Sequence, residues 1–255
     1  MSIAEKLTTI AENQQKVYDA GYTAGQAAGG GGDSYYDEFW DSVQQNGSRT
    51  GYVYGFAGES WTDDTFKPKY NIEVSQVNYM FYYSKITDLQ AALERAGVVL
   101  DLSNLSVSFM IRPFDSSQIT RVGEVNLAHV TGAINTFFAN ATKLVTIDNL
   151  ILSSSNTFGS NMFQNCEALA NITIQGEIAK TINFQWCTSL TVDSMKSIIL
   201  ALKDFDGNGG TVEGAWTQTI TFPDECWTAL EADGTRAPNG ENWKSYVENK
   251  LAWNV

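Results

Sequence analysis

Histidine occurs once in the 255 residues, cysteine three times and proline four times. The three thiols, Cys166, Cys187 and Cys226, are an odd number with no close pair, so they form no disulfide framework. A zinc site takes four Cys, His or carboxylate ligands in tight pairs such as C-x-x-C, and the lone His129 belongs to no such pair. No metal ligands are therefore assigned. A Cys–His nucleophile would have to use the same His129. Basic residues are scarce as well, 16 against 29 acidic, for a net charge of −13. Such a surface repels phosphate backbones and excludes nucleic acid as an expected partner. No stretch approaches 18 uninterrupted apolar residues, so no membrane insertion is expected. The opening MSIAEKLTTIAENQQ lacks the basic start and apolar block of a signal peptide, which predicts a chain made in the cytoplasm without that export route. There is no G-x-S-x-G, H-E-x-x-H or phosphate-binding loop, and the acidic residues cluster around no recognisable motif. No catalytic residue and no cofactor is assigned.

What is present is a repeat. MFQNCEALANI places Phe163, Cys166, Leu169 and Ile172 at offsets that FFANATKLVTI repeats with Phe138, Ala141, Leu144 and Ile147. NFQWCTSL adds Phe184, Cys187 and Leu190. Shorter variants come earlier, with Phe114, Ile119 and Val122 in one and Phe81, Ile86 and Leu89 in the other. The small position is Ala once and Cys twice, so it accepts a small buried side chain rather than a working thiol. Between the phenylalanines lie stretches with alternating apolar residues: VVLDLSNL, GEVNLA, LVTIDNLIL, LANITIQGEI and TINF. The longest interval, Phe81 to Phe114, holds DLQAALERAG, read as an inserted helical turn or two that ends at Gly97. A unit of roughly 21 to 25 residues with one short strand predicts stacked coils that cover one another's apolar edges. The fold class is thus a β-rich α+β chain. Its centre is a short, irregular leucine-rich-repeat solenoid over residues 78–203.

The flanks differ. In residues 1–28, Ile3, Leu7, Ile10, Gln14 and Val17 recur at coiled-coil spacing, which predicts a helical anchor that self-associates as a trimer. A helix folding back onto the solenoid stays open as the alternative. Residues 29–34 begin with four glycines and read as a hinge. Residues 35–77 form an N-terminal cap, opening with a helix-like stripe of Tyr36, Phe39, Trp40 and Val43. After the repeats, LTVDSMKSIILALKDF reads as a helix capped at Asp193, with Met195, Ile198, Ile199 and Leu202 buried. Residues 204–255 form a Trp-rich C-terminal cap with strand-like TQTITFP and LAWNV. Within it, DFDGNGG matches the first half of a calcium loop at Asp204, Asp206 and Asn208, but the twelfth position is Ala215. A polar loop closing the helix explains the same letters.

The Phe-x-x-Cys-x-x-Leu-x-x-Ile units resemble bacterial surface-antigen (BspA-like) leucine-rich repeats, a family associated with cell-surface adhesion. The wider arrangement is similar to prophage-encoded tail or baseplate proteins of gut Firmicutes phages. It is carried by MSIAEKLTTIAENQQKVYDAGYTAG, YDEFWDSVQQNGSRTGYVYGFAG and the Trp-rich end. The resemblance implies a non-enzymatic virion component at the tail tip, baseplate or tail fibre. Its helix would dock to other tail proteins, and its repeats would face a host-surface protein or glycan. A bacterial cell-surface adhesin and a glycan-degrading tail enzyme are the alternatives. Tyr79, Tyr82 and Tyr83 are candidate contacts, and packing beneath a neighbouring loop is their competing explanation.

Overall fold

A computed structural model describes residues 56–59, 61–68, 71–74, 77–103, 105, 110–205 and 217–255. The coiled-coil positions Ile3, Leu7, Ile10 and Val17, the glycine hinge, the aromatic stripe of 36–43, Trp216, Asp206 and Asn208 lie outside the described residues.

Each coil begins with a phenylalanine turn that its sequence dictates. The N–H three residues after the phenylalanine donates back to the phenylalanine carbonyl: Ser84 to Phe81, Ser117 to Phe114, Ala141 to Phe138, Cys166 to Phe163, and Cys187 to Phe184. Distances run from 2.8 to 3.2 Å. That third position is buried in these five coils and holds Ser, Ala or Cys, because a larger side chain would push adjacent coils apart. Two residues after the phenylalanine the backbone is left-handed in five coils, at Gly58, Tyr83, Ser116, Asn140 and Asn165. This is the conformation that reverses the chain and aims its amides at the next coil. Asn140 donates its N–H to Gln164 O at 2.8 Å, and Ser116 donates to Asn140 O at 3.1 Å.

The coils stack into a β-solenoid of about four turns with few helices. Its spine is a file of phenylalanine rings. Phe56, Phe81, Phe114, Phe138, Phe163, Phe184 and Phe222 lie ring on ring at centroid distances of 5.5, 5.6, 5.7, 5.4, 4.6 and 5.6 Å. Interplanar angles stay between 4° and 25°. These separations fall in the range that favours offset-stacked rings. Ala141, Leu144, Cys166, Leu169, Cys187 and Leu190 are buried beside them.

One side of the solenoid is a parallel three-stranded sheet of β3 (Arg121–Asn126), β5 (Thr146–Leu152) and β7 (Asn171–Gly176), in the order β3-β5-β7. Its register sets Val122 beside Ile147 beside Ile172, so each branched side chain covers the next. The remaining strands are pairs of two residues each: β1 (Ile72–Glu73) with β2 (Leu100–Asp101), β4 (Ala133–Ile134) with β6 (Thr157–Phe158), and β8 (Ile182–Asn183) with β9 (Ile220–Thr221). Within the strand-like stretch VVLDLSNL, Leu100–Asp101 is the part that pairs as a strand among the described residues.

Helices stand at both edges of the sheet. The 33-residue interval contains α1 (Leu89–Ala96), capped by the Asp88 carboxylate accepting from the Ala91 N–H and closed by Gly97 at φ 66°. It packs on β3, where Gly123 leaves the room that the Gln90 side-chain amide fills. At the other edge, α2 (Val192–Leu200) lies beside β7. Its N-cap is Thr191, whose hydroxyl accepts from the Ser194 N–H; Asp193 sits in the first turn instead. The cap falls two residues early because Ser194 is turned inward. The hydroxyls of Ser194 and Ser197 each accept a hydrogen bond, at 2.9 Å, from the N–H of Ile172 and Ile174. Two serines one helical turn apart thus satisfy the strand edge that would otherwise stay open.

The C-terminal cap is more helical than TQTITFP and LAWNV suggest. DECWTALEA forms α3 (Asp224–Ala232), burying Cys226, Trp227 and Leu230 at helical spacing. A short turn at Trp243–Ser245 leads into a π-helical turn at Tyr246–Lys250. LAWNV contributes only a bridge between Asn254 and Thr219, with Trp253 fully buried and its indole donating to Lys203 O at 2.9 Å.

Candidate functional site

The thiols are structural by position. Cys166 donates its S–H to Phe138 O in the preceding coil, and the Cys226 thiol approaches Cys187 O at 3.6 Å. Burial pushes the Cys166 thiol up to about 12, and burial raises Cys187 and Cys226 as well. A thiolate is the reactive form, so these sulfurs are held inert at neutral pH. His129 is exposed after β3 and is not brought to any of them. Among the described residues there is no group of three metal-ligating side chains. Asp204 is paired to Lys250 at 2.5 Å.

Two surface features stand out among the described residues. The first is a cleft of about 640 Å³ between α1, the strand Leu100–Asp101 and the edge of β3. Leu89, Leu93, Val122 and Val125 give it apolar walls, and Asp101 and His129 are among its polar groups. The Asp101 carboxyl is held below its ordinary value by the Ser103 N–H and hydroxyl, with a further contribution from His129. The second feature is the edge formed by the phenylalanine turns. On it the Asp115, Asn140 and Asn165 side chains join coil to coil. The Asn165 amide donates to Asn140 Oδ1 at 2.8 Å, and the Asn140 amide donates to Asp115 Oδ2 at 3.2 Å. Arg112 approaches the same carboxylate at 3.6 Å.

The tyrosine cluster continues this edge into the preceding coil. Tyr79 meets Tyr82 at 5.5 Å and Tyr82 meets Tyr83 at 4.3 Å between ring centroids. Tyr79 and Tyr82 are half-buried, whereas Tyr83 is 49% exposed. The packing explanation therefore fits the first two better than the third.

Sequence reasoning missed Asn156. It is fully buried, donates its amide to Leu127 O and Val130 O at 3.0 and 2.9 Å, and accepts from the Ser153 N–H at 2.8 Å. The cluster SSSN reads as an ordinary polar loop, and only the coil before it reveals what the side chain binds. No protein-family model matches the chain, and neither curated proteins nor solved structures provide a match.

Proposed function

We propose that the chain is a non-enzymatic phage virion component, a leucine-rich-repeat solenoid of the surface-antigen type. It would sit at the tail tip, at the baseplate or in a tail fibre. The N-terminal segment bearing Ile3, Leu7, Ile10 and Val17 joins three copies and docks them to other tail or baseplate proteins. The coils present a binding surface to a host-surface protein or glycan, or to a neighbouring subunit. The observation that carries this reading is the phenylalanine file itself. It commits the repeated apolar side chains to the interior and holds the turn edge as a rigid row, which suits recognition over an extended face. The residues that resemble prophage tail proteins add the location.

The experiment is immunogold labelling of phage particles with antibody against the solenoid, joined to competition of phage adsorption by the purified protein. The reading expects label at one end of the tail and reduced adsorption. Label on the bacterial envelope with unlabelled particles would assign the chain to the cell-surface adhesins instead. Release of reducing sugar from wall material by the protein alone would assign it to the glycan-degrading enzymes.

A further inference from the structure

We infer that the tyrosine end of the turn edge is a contact site for a neutral polysaccharide, centred on Tyr83 with Ile111 and Arg112 of the next coil. The inference rests on the reading of the solenoid as a displayed binding surface and names the chemistry of its ligand.

The argument starts from backbone strain. In five coils the turn position two residues after the phenylalanine is left-handed, and besides Tyr83 it is filled by Gly58, Ser116, Asn140 and Asn165. Glycine and asparagine are the residues that tolerate this region. Tyr83 holds φ 57° at the same position, and its conformation is fixed from outside by its N–H donating to Asp115 O at 3.3 Å. A bulky ring there is uncommon. Strain concentrates in the same place: Tyr79 is left-handed at φ 52° and Arg112 at φ 45°, with the Tyr79 N–H donating to Ile111 O at 2.9 Å. The fold does not ask for tyrosine at 83: the four other coils that are left-handed here close the turn without an aromatic residue, and the Phe184 coil carries Trp186 there without positive φ. Strained non-glycine residues that the surroundings over-determine are a mark of functional surfaces.

The composition of the patch selects the ligand. Tyr83 and Ile111 are among the few large apolar side chains left exposed. Arg112 faces Asp115, so the cluster is close to neutral on a chain of net charge −13 and offers a polyanion no cationic surface. None of the tyrosines lines the cleft beside α1. From the rings, the row runs on through the half-buried Asn140 and Asn165 amides, anchored by the buried Asp115 carboxylate. Each amide spends a single N–H within the row and keeps its second. Rings that accept an apolar face, followed by two amides that each have an N–H to donate, match a polymer of uncharged sugar rings. Each sugar has an apolar face and a rim of hydroxyls.

The test uses the full chain and Tyr83→Asn, which installs the residue found at this position in two later coils. Thermal unfolding is read together with affinity electrophoresis in native gels containing dextran, mannan or a soluble β-glucan. The expected result is a variant that unfolds at a higher temperature yet loses at least tenfold in affinity for whichever polysaccharide retards the parent chain. Ile111→Ser, which leaves the strained positions intact, should weaken binding without raising the unfolding temperature. Retardation equal in parent and Tyr83→Asn, or absent for all three polymers, overturns the inference. So does a variant that unfolds at a lower temperature, because the strain argument then fails. Capture of a purified tail subunit that depends on Tyr83, with no polysaccharide bound, reassigns the patch to a protein partner. Incorporation of Tyr83→Asn chains into phage particles keeps the outcome separate from the proposed function, which stands even where the sugar site fails.

Discussion

Truncating one ring of the phenylalanine file should destabilise the protein by an amount set by its neighbours. Phe138 is fully buried, lies ring on ring between Phe114 at 5.7 Å and Phe163 at 5.4 Å, and meets Phe137 edge-on at 4.9 Å. Removing a buried phenyl group to leave Ala costs about 3–5 kcal/mol, and losing two stacked partners and one edge partner places Phe138→Ala near the upper end. That is a large share of a domain's typical ~5–15 kcal/mol, so the milder Phe→Leu change suits combination. In stacked coils each unit touches only its neighbours. Phe138→Leu and Phe163→Leu together should therefore show an interaction energy of about 0.5–3 kcal/mol. Phe81→Leu with Phe184→Leu, four coils apart, should be additive to within about 0.5 kcal/mol. Urea unfolding with matched m-values measures both. Additivity of the adjacent pair, or strong coupling of the distant pair, would refute a core built coil upon coil.

Ser84 occupies the small position of its coil with a fully buried hydroxyl that has no hydrogen-bond partner. Ser84→Ala, which copies Ala141, should stabilise the fold by about 1 kcal/mol, seen as a Tm rise of ~2–4 °C. The three thiols should resist a disulfide reagent at pH 8 in the native protein and all react in denaturant; fast native labelling of Cys166 would contradict its place in the core. Their raised ionisation also has a defined sign. Below the ordinary thiol value both states are protonated, and above it, for Cys166 up to about 12, only the unfolded chain ionises freely, so stability falls as pH rises. Replacing Cys166 by Ala should flatten that alkaline loss, measured as unfolding free energy against pH.

The repeat could be read from the sequence where its chemistry is local. Phe138, Phe163 and Phe184 each precede a small residue by three positions and a leucine by six, and that spacing alone defines the turn. The two end rings, Phe56 and Phe222, escaped because their flanks break the pattern. Phe222 is followed by Pro223 and α3 rather than by a small buried residue, and 38 residues separate it from Phe184. Helix α3 is not assigned from the sequence because Cys226, Trp227 and Leu230 sit in a stretch too short to fix its period. The Thr191 cap was hidden by the inward role of Ser194, which exists only because β7 needs a partner at its edge. Nothing in the letters YYS announces that Tyr83 is left-handed. That follows from hydrogen bonds to residues of the next coil, some thirty positions away.

Ring-to-ring contact in solution tests the account at its base. In protein carrying labelled phenylalanine, nuclear Overhauser effects should link Phe56 to Phe81, Phe81 to Phe114, and so on in order to Phe222, with no contact between rings that skip a coil. Missing contacts between Phe81 and Phe114, or a file that connects in any other order, would contradict the stacked solenoid.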